Sequence, residues 1–318
     1  MSTPAARPTT SPTVLALDVG GTDIKAAVVG EHGMVVRTTV PTRTADREPL
    51  DSVLLAAHRL WESVPAGYHV TGLGIATPGI VDDEDGVVRG AENLGWREVP
   101  LRSLLEEELG VPVGIGHDVR AGGLAEWRLG AGRGAGDHAF VAVGTGIAAS
   151  VVLHGAVYAG GGWAGEVGHG GRTTGEPCAC GGRGCIETYA SAAGIARRYT
   201  ARTGVHVPGA REVLERAQAG DVVAADVWAH GVDGLGELVA GLVRTLGLRL
   251  VVVGGGLVRA GDALLDPLDA AVRRYLTVHP VPELRPAGLG SDAGTYGAAL
   301  LGWGASGRGT LTDLVVPV

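Results

Sequence analysis

Four residues in one short stretch have the right types to hold a metal. His169 is followed by Cys178-Ala179-Cys180 and then Cys185, which offers one imidazole and three thiolates. That is a closed tetrahedral set of the kind a structural Zn2+ takes, with no position left open for a reacting water. Gly181, Gly182 and Gly184 lie among the cysteines and let the backbone turn back so that both ends reach one ion. The cysteine count is odd and tightly clustered, and no apolar export signal is present, which favours a metal over a disulfide. The alternative is three buried free thiols and an unrelated histidine. Glu166 and Glu187 flank the set. Carboxylates accept hydrogen bonds from hydroxyls, and an imidazole fixed by a metal is pre-oriented; the bland alternative is two solvated surface acids.

A second kind of chemistry is suggested by three glycine turns, each at the end of an apolar run. Asp18-x-Gly20-Gly21-Thr22-x-x-Lys25 resembles the first phosphate loop of the actin-like ATPase superfamily. Its glycines let backbone N–H groups approach phosphate oxygens, and Thr22 adds a hydroxyl. Asp18 would stand near a Mg2+ ion through water, as hard cations prefer. Gly144-Thr145-Gly146 would form the second phosphate loop, and Gly254-Gly255-Gly256 resembles the adenosine loop at the start of a helix. A strand ending in two glycines is by itself a common turn; three in this order are more specific. No G-x-x-x-x-G-K-[ST] stretch is present and no strand-linked G-x-G-x-x-G, which argues against P-loop and dinucleotide folds.

The elements that must position these residues follow from the hydrophobic pattern. The chain has 318 residues, 45% hydrophobic and 19% charged, enough for a sizeable core and against global disorder. A net charge of −8 argues against a general phosphate-backbone binder, so no nucleic-acid partner is expected. The longest apolar stretch, 246–258, is broken by Arg249 and by glycines, so no membrane segment is expected and the protein is placed in the cytoplasm. Strands are expected at 14–19, 24–29 and 34–40 as an antiparallel meander, then at 70–76, 113–115, 139–143, 147–153 and 250–253. Helical spacing covers 48–63, 101–109 and 121–129. The strand-glycine-strand pattern at 139–153 echoes that at 14–29 and suggests a duplicated unit.

The run Gly165-Glu166-Val167-Gly168-His169, with Cys178-x-Cys180-Gly-x-x-Gly-Cys185-x-Glu187, resembles the signature of the ROK family of sugar kinases and sugar-responsive repressors, and the resemblance extends from about Val14 to Trp303. It implies an α/β fold: two domains of the actin-like ATPase (ribonuclease H-like) type, a duplicated mixed-sheet unit and a central cleft. The expected division is a disordered tail at 1–12, a smaller N-terminal domain at 13–117, a larger domain at 118–296 carrying a zinc knuckle at 163–188, and a segment at 297–318 returning to the small domain. By the same resemblance Glu166, His169 and Glu187 contact sugar hydroxyls, and His169 uses its other ring nitrogen for zinc. Glu92-Asn93-Leu94-Gly95-Trp96 resembles the sugar loop, with Asn93 as a ligand and Trp96 read as a packing residue. Asp118 corresponds to the catalytic base, with a helix N-cap as its plain alternative.

Two residues depart from the family pattern. His117 stands where relatives usually carry a sugar-contacting Asn, which changes the pocket shape and opens the identity of the sugar. Arg120 replaces a small residue or Asn, and a surface or hinge role is expected for it. The implied reaction is MgATP-dependent phosphorylation of a hexose, most simply glucose to glucose 6-phosphate. Alternatives are N-acetylmannosamine, fructose, mannose or allose, and polyphosphate as donor. Repressors of the family carry several dozen DNA-binding residues before the first strand; only thirteen Pro- and Thr-rich residues precede Val14 here, so that role is disfavoured. A homodimer is implied by the resemblance alone.

Overall fold

The computed structural model describes residues 10–170 and 172–307. In chain order the elements are β1 (Ser11–Val19), β2 (Asp23–Gly30), β3 (Gly33–Pro41), α1 (Pro49–Glu62), β4 (Tyr68–Thr77), β5 (Ile80–Asp82), β6 (Val87–Ala91), β7 (Trp96–Val99), α2 (Leu101–Leu109), β8 (Val113–His117) and α3 (Asp118–Leu129). There follow β9 (His138–Val143), β10 (Ile147–Leu153), β11 (Ala156–Val157), β12 (Arg172–Pro177), α4 (Glu187–Ala190), α5 (Ala192–Thr203), α6 (Ala210–Gln218), α7 (Val222–Leu246), β13 (Leu250–Gly254), α8 (Asp262–Tyr275), β14 (Glu283–Pro286) and α9 (Ala293–Ala305).

The chain divides into two compact units. Among the described residues, the first holds those up to Leu129, Ala159–Trp163 and those from Asp292 to Gly307; the second holds Gly130–Tyr158 and Ala164–Ser291. Each is built on a five-stranded sheet, ordered β3-β2-β1-β4-β8 in the first and β11-β10-β9-β13-β14 in the second. In both, the opening hairpin is antiparallel and the next two strands are parallel to the first. One topology is therefore used twice, as the echo between residues 14–29 and 139–153 suggested.

The first unit buries Leu15, Leu17, Leu73 and Ile75 from its sheet against Val53, Ala57 and Leu60 of α1. On the sheet's other face lies α9, and there backbone meets backbone. A Cβ on Gly302 would lie 2.5 Å from the Gly74 nitrogen, and one on Gly74 would overlap the Ala298 carbonyl. The second unit's core is organised by α7, capped at its start by Asp221, whose carboxylate accepts from the Val223 and Ala224 N–H groups. Val227, Leu235, Leu238, Val239 and Val243 form its buried face, each contributing roughly 1.5–3 kcal/mol.

Several boundaries differ from expectation. β1 begins at Ser11, pairing Ser11 with Tyr68 and Pro12 with His69, so the expected tail ends sooner; residues 1–9 lie outside the described residues. The expected division at 117/118 falls inside the first unit, because α3 starts at Asp118 and packs on α9, where a Cβ on Gly297 would overlap the Ala121 carbonyl. The return to the first unit starts at Asp292 rather than 297, and residues 308–318 lie outside the described residues. The sheet β5-β6-β7 and the edge strand β14 were not foreseen. No described helix is long and apolar enough to cross a membrane.

Candidate active site

In the first unit the chemistry collects at the open end of β1. Asp18 pairs with Lys25 across the hairpin, and the turn closes by a bond from the Gly20 N–H to the Asp23 carbonyl. Thr42 braces it, its hydroxyl donating to the Gly20 carbonyl at 2.7 Å and its N–H to the Thr22 carbonyl at 2.8 Å. Gly21 and Thr22 are exposed, so their N–H groups and the Thr22 hydroxyl are open to a ligand. Asn93 joins the same turn: a Cβ on Gly21 would lie 3.5 Å from its Nδ2.

Burial pushes the Asp18 carboxyl up to about 6; Lys25 opposes this, while Asp118 and Asp292 add to it. A carboxylate so placed gains from a divalent cation, which replaces the lost solvation. Asp118 follows β8 directly and opens α3. One of its oxygens, Oδ1, accepts from the Val119 N–H at 2.7 Å. The same oxygen lies 3.2 Å from His117 Nε2, and His117 is only 7% exposed.

In the second unit, Gly144-Thr145-Gly146 links β9 to β10 and is closed by the Gly144 N–H on the Gly146 carbonyl. Gly255 packs on the Val143 carbonyl, which sets Gly254-Gly255-Gly256 beside this turn. Glu187 comes to it from α4. Its Oε2 accepts from the Ile147 N–H at 2.9 Å and occupies the space where a Gly146 Cβ would stand, 2.5 Å away. Gly146 is thus required by Glu187 as much as by any phosphate.

His169 joins two groups of side chains. Its Nδ1 is 3.5 Å from Cys178 Sγ, while its Nε2 is 3.7 Å from Glu187 Oε1 and 3.9 Å from Glu166 Oε2. The ligand atoms of His169, Cys178, Cys180 and Cys185 all lie within 4.8 Å of one another, and the Cys180 and Cys185 sulfurs are 3.7 Å apart. A tetrahedral zinc with Zn–S near 2.3 Å has S–S edges of about 3.8 Å, so the set fits that ion. The Gly182 N–H lowers the Cys180 thiol, whereas burial pushes the Cys185 thiol up to about 12. A divalent cation supplies what ionisation of both requires.

The structure therefore gathers Asp18, Gly20, Gly21, Thr22, Lys25, Asn93, His117 and Asp118 in the first unit. It gathers Gly144–146, Glu166, His169, Glu187, the three cysteines and Gly254–256 in the second. Trp96 is buried in the first core, as its packing reading required. Arg120 corrects the expectation of a surface or hinge role: it is 4% exposed and hydrogen-bonded to two backbone carbonyls, because its long stem reaches under neighbouring segments. Two contributors were missed, Asp292 and Gly294 at the start of α9. A Cβ on Gly294 would lie 2.5 Å from Asp18 Oδ2; the run Gly290-Ser291-Asp292-Ala293-Gly294 was the available signal.

Comparison with known proteins agrees with this arrangement. The model of the ROK family matches residues 14–303. A glucokinase of Halalkalibacterium halodurans is 36% identical over 90% of this chain and 93% of its own. The crystal structure of a ROK hexokinase from Thermus thermophilus superposes with a TM-score of 0.82 at 35% identity, covering 93% of this chain and all of that one. A ROK family glucokinase from Streptomyces griseus, solved with glucose and AMPPNP, gives 0.78 at 30% identity over 91% of this chain and 99% of its own. The doubled sheet topology and these likenesses give the actin-like ATPase fold, and the chain belongs to the ROK family.

Proposed function

We propose that this protein is an ATP-dependent hexose kinase that phosphorylates the 6-hydroxyl of glucose. The observation that carries the reading is Asp118, set at the end of β8 within electrostatic range of Asp18 at an exposed glycine turn. Asp118 takes the proton of the sugar hydroxyl as its oxygen bonds to the γ-phosphorus. The bond from that phosphorus to the β,γ-bridging oxygen breaks, and ADP leaves. Gly20, Gly21, Thr22, Lys25, Gly144, Thr145 and Gly146 serve the nucleotide's phosphates, and Gly254, Gly255 and Gly256 its adenosine. Mg2+ brought with ATP would be held near Asp18 and neutralise charge on the phosphates. Asn93, Glu166, His169 and Glu187 bind sugar hydroxyls. His169, Cys178, Cys180 and Cys185 would hold Zn2+, which would fix the imidazole for its Nε2 to meet the sugar.

His117 favours a second reading in which the substrate is another hexose, among them N-acetylmannosamine, fructose, mannose and allose. An imidazole fills space that an Asn would leave open beside Asp118. Family membership supports a homodimer, and metal-binding rather than paired cysteines suit the reducing cytoplasm. A coupled ADP-release assay across these sugars tests the proposal, with ATP and then polyphosphate as donor. Glucose with ATP should give the highest kcat/KM. No sugar-dependent ADP release with any hexose would sink the kinase reading, and a different best sugar would replace glucose alone.

A further inference from the structure

We infer that Arg120 is a positioning residue for sugar binding: its guanidinium joins the strand hairpin leading to Asn93 and the turn leading to Glu166 to the helix turn that carries Asp118. The inference rests on the kinase reading above.

Arg120 lies two positions beyond Asp118 in the first turn of α3 and is buried. Its Nη2 donates to the Val81 carbonyl at 2.8 Å and its Nη1 to the Gly162 carbonyl at 3.1 Å; Asp83 Oδ1 stands 3.8 Å from Nη2. Val81 belongs to β5 and pairs with Val88 of β6, and β6 ends two residues before Asn93. Gly162 belongs to the segment 159–163, which packs with the first unit and runs through Ala164 into Gly165-Glu166. The two carbonyls sit close: Gly162 has φ +89°, and a Cβ there would lie 2.6 Å from the Val81 oxygen. A planar fork presents one N–H to each carbonyl in a fixed direction, whereas an ammonium on a flexible stem offers donors without that fixed pair of directions.

A buried arginine could serve stability alone. What separates this one is where the Val81 and Gly162 carbonyls lead, since each belongs to a segment that continues into a proposed sugar ligand. Its loss should therefore weaken sugar binding while leaving the nucleotide turns intact.

The test compares Arg120→Met, Arg120→Lys and Gly162→Ala with wild type. Sugar KM should rise about tenfold to a hundredfold in the first, with ATP KM unchanged and kcat falling less. Arg120→Lys should recover part of the loss. Gly162→Ala, which leaves Arg120 in place but forces Gly162 from Val81, should give the same sugar-specific shift, and Arg120→Met with Gly162→Ala should be no worse than the stronger single change. Calorimetric sugar titration of the same variants in an Asp118→Asn background reads the effect without turnover. If Arg120→Met does not fold, Arg120→Lys and Gly162→Ala decide. Lower melting temperature with unchanged sugar KM, or equal movement of sugar and ATP KM, overturns the proposal. A wild type that phosphorylates no hexose overturns the kinase reading instead.

Discussion

The two glycine turns that open the two sheets share a topology but not a chemistry. Val19 pairs with Ile24 around the first and Val143 with Ile147 around the second, so the second is one residue shorter. The first turn carries its charge on its own strands, as Asp18 and Lys25. The second has no ionisable residue between Val143 and Ile147 and receives Glu187 from α4 instead. The duplicated frame thus carries charge on its own strands in one copy and receives it from a helix in the other. Changes at the first turn and its neighbour Asp118 should strike turnover or charge balance; changes around the second should strike sugar affinity.

The largest effect that could break this contrast is at Asp118. Asp118→Asn should lower kcat by about 10²–10⁴-fold while calorimetry still finds sugar binding; turnover within about tenfold of wild type would remove the base assignment. Asp18 comes next. Its carboxyl titrates near 6 when folded, against an ordinary 3.8, so the folded state binds the extra proton. The stability this gives is fully present below about pH 4 and is lost as pH rises through about 6, amounting to roughly 3 kcal/mol by neutrality. Asp18→Asn should therefore raise the melting temperature of nucleotide-free protein at pH 7.5 and not at pH 4, while turnover falls. A melting temperature unchanged at both values would show that Asp18 is not strained.

At the second turn, Cys185→Ser should reduce bound zinc from about one per chain and raise sugar KM up to about a hundredfold, with ATP KM spared. Zinc-free protein of full activity would end the structural role of the metal. The smallest expected change sharpens the contrast most. Gly146→Ala places a methyl against Glu187 and should raise sugar KM roughly tenfold, with any rise in ATP KM smaller; if ATP KM alone rises, the turn serves only phosphate and the two turns are alike.

The sequence displayed some of this better than the rest. Long apolar runs ending in glycine announced β1, β4 and β9, and the Leu-rich spacing over 101–109 with Gly110 behind it announced α2, which ends with Gly110 at φ +67°. The sheet β5-β6-β7 stayed hidden because its strands span three to five residues in a stretch of Asp, Glu and Gly, too short for alternation to emerge. The cluster of His169, Cys178, Cys180 and Cys185 was visible because a metal site asks for side-chain types at close spacing. Arg120 was not, because its partners are carbonyls, which every residue has. Gly294 and Asp292 were faint for a third reason: the glycine acts by the room it leaves beside Asp18, and the aspartate by charge felt across space.

The contact of α9 with β4 also bears on the order in which the protein is made. The sheet of the first unit leaves the ribosome early, but the helix that lies on its glycines comes only after Gly130–Ser291 has been synthesised. At about 5–20 residues per second this is a delay on the order of ten seconds, during which the second unit can fold as an insertion in an unfinished host. Asp18 keeps a solvent-facing flank until Gly294 arrives. The Asp18 turn is therefore completed only after the whole second unit has been made.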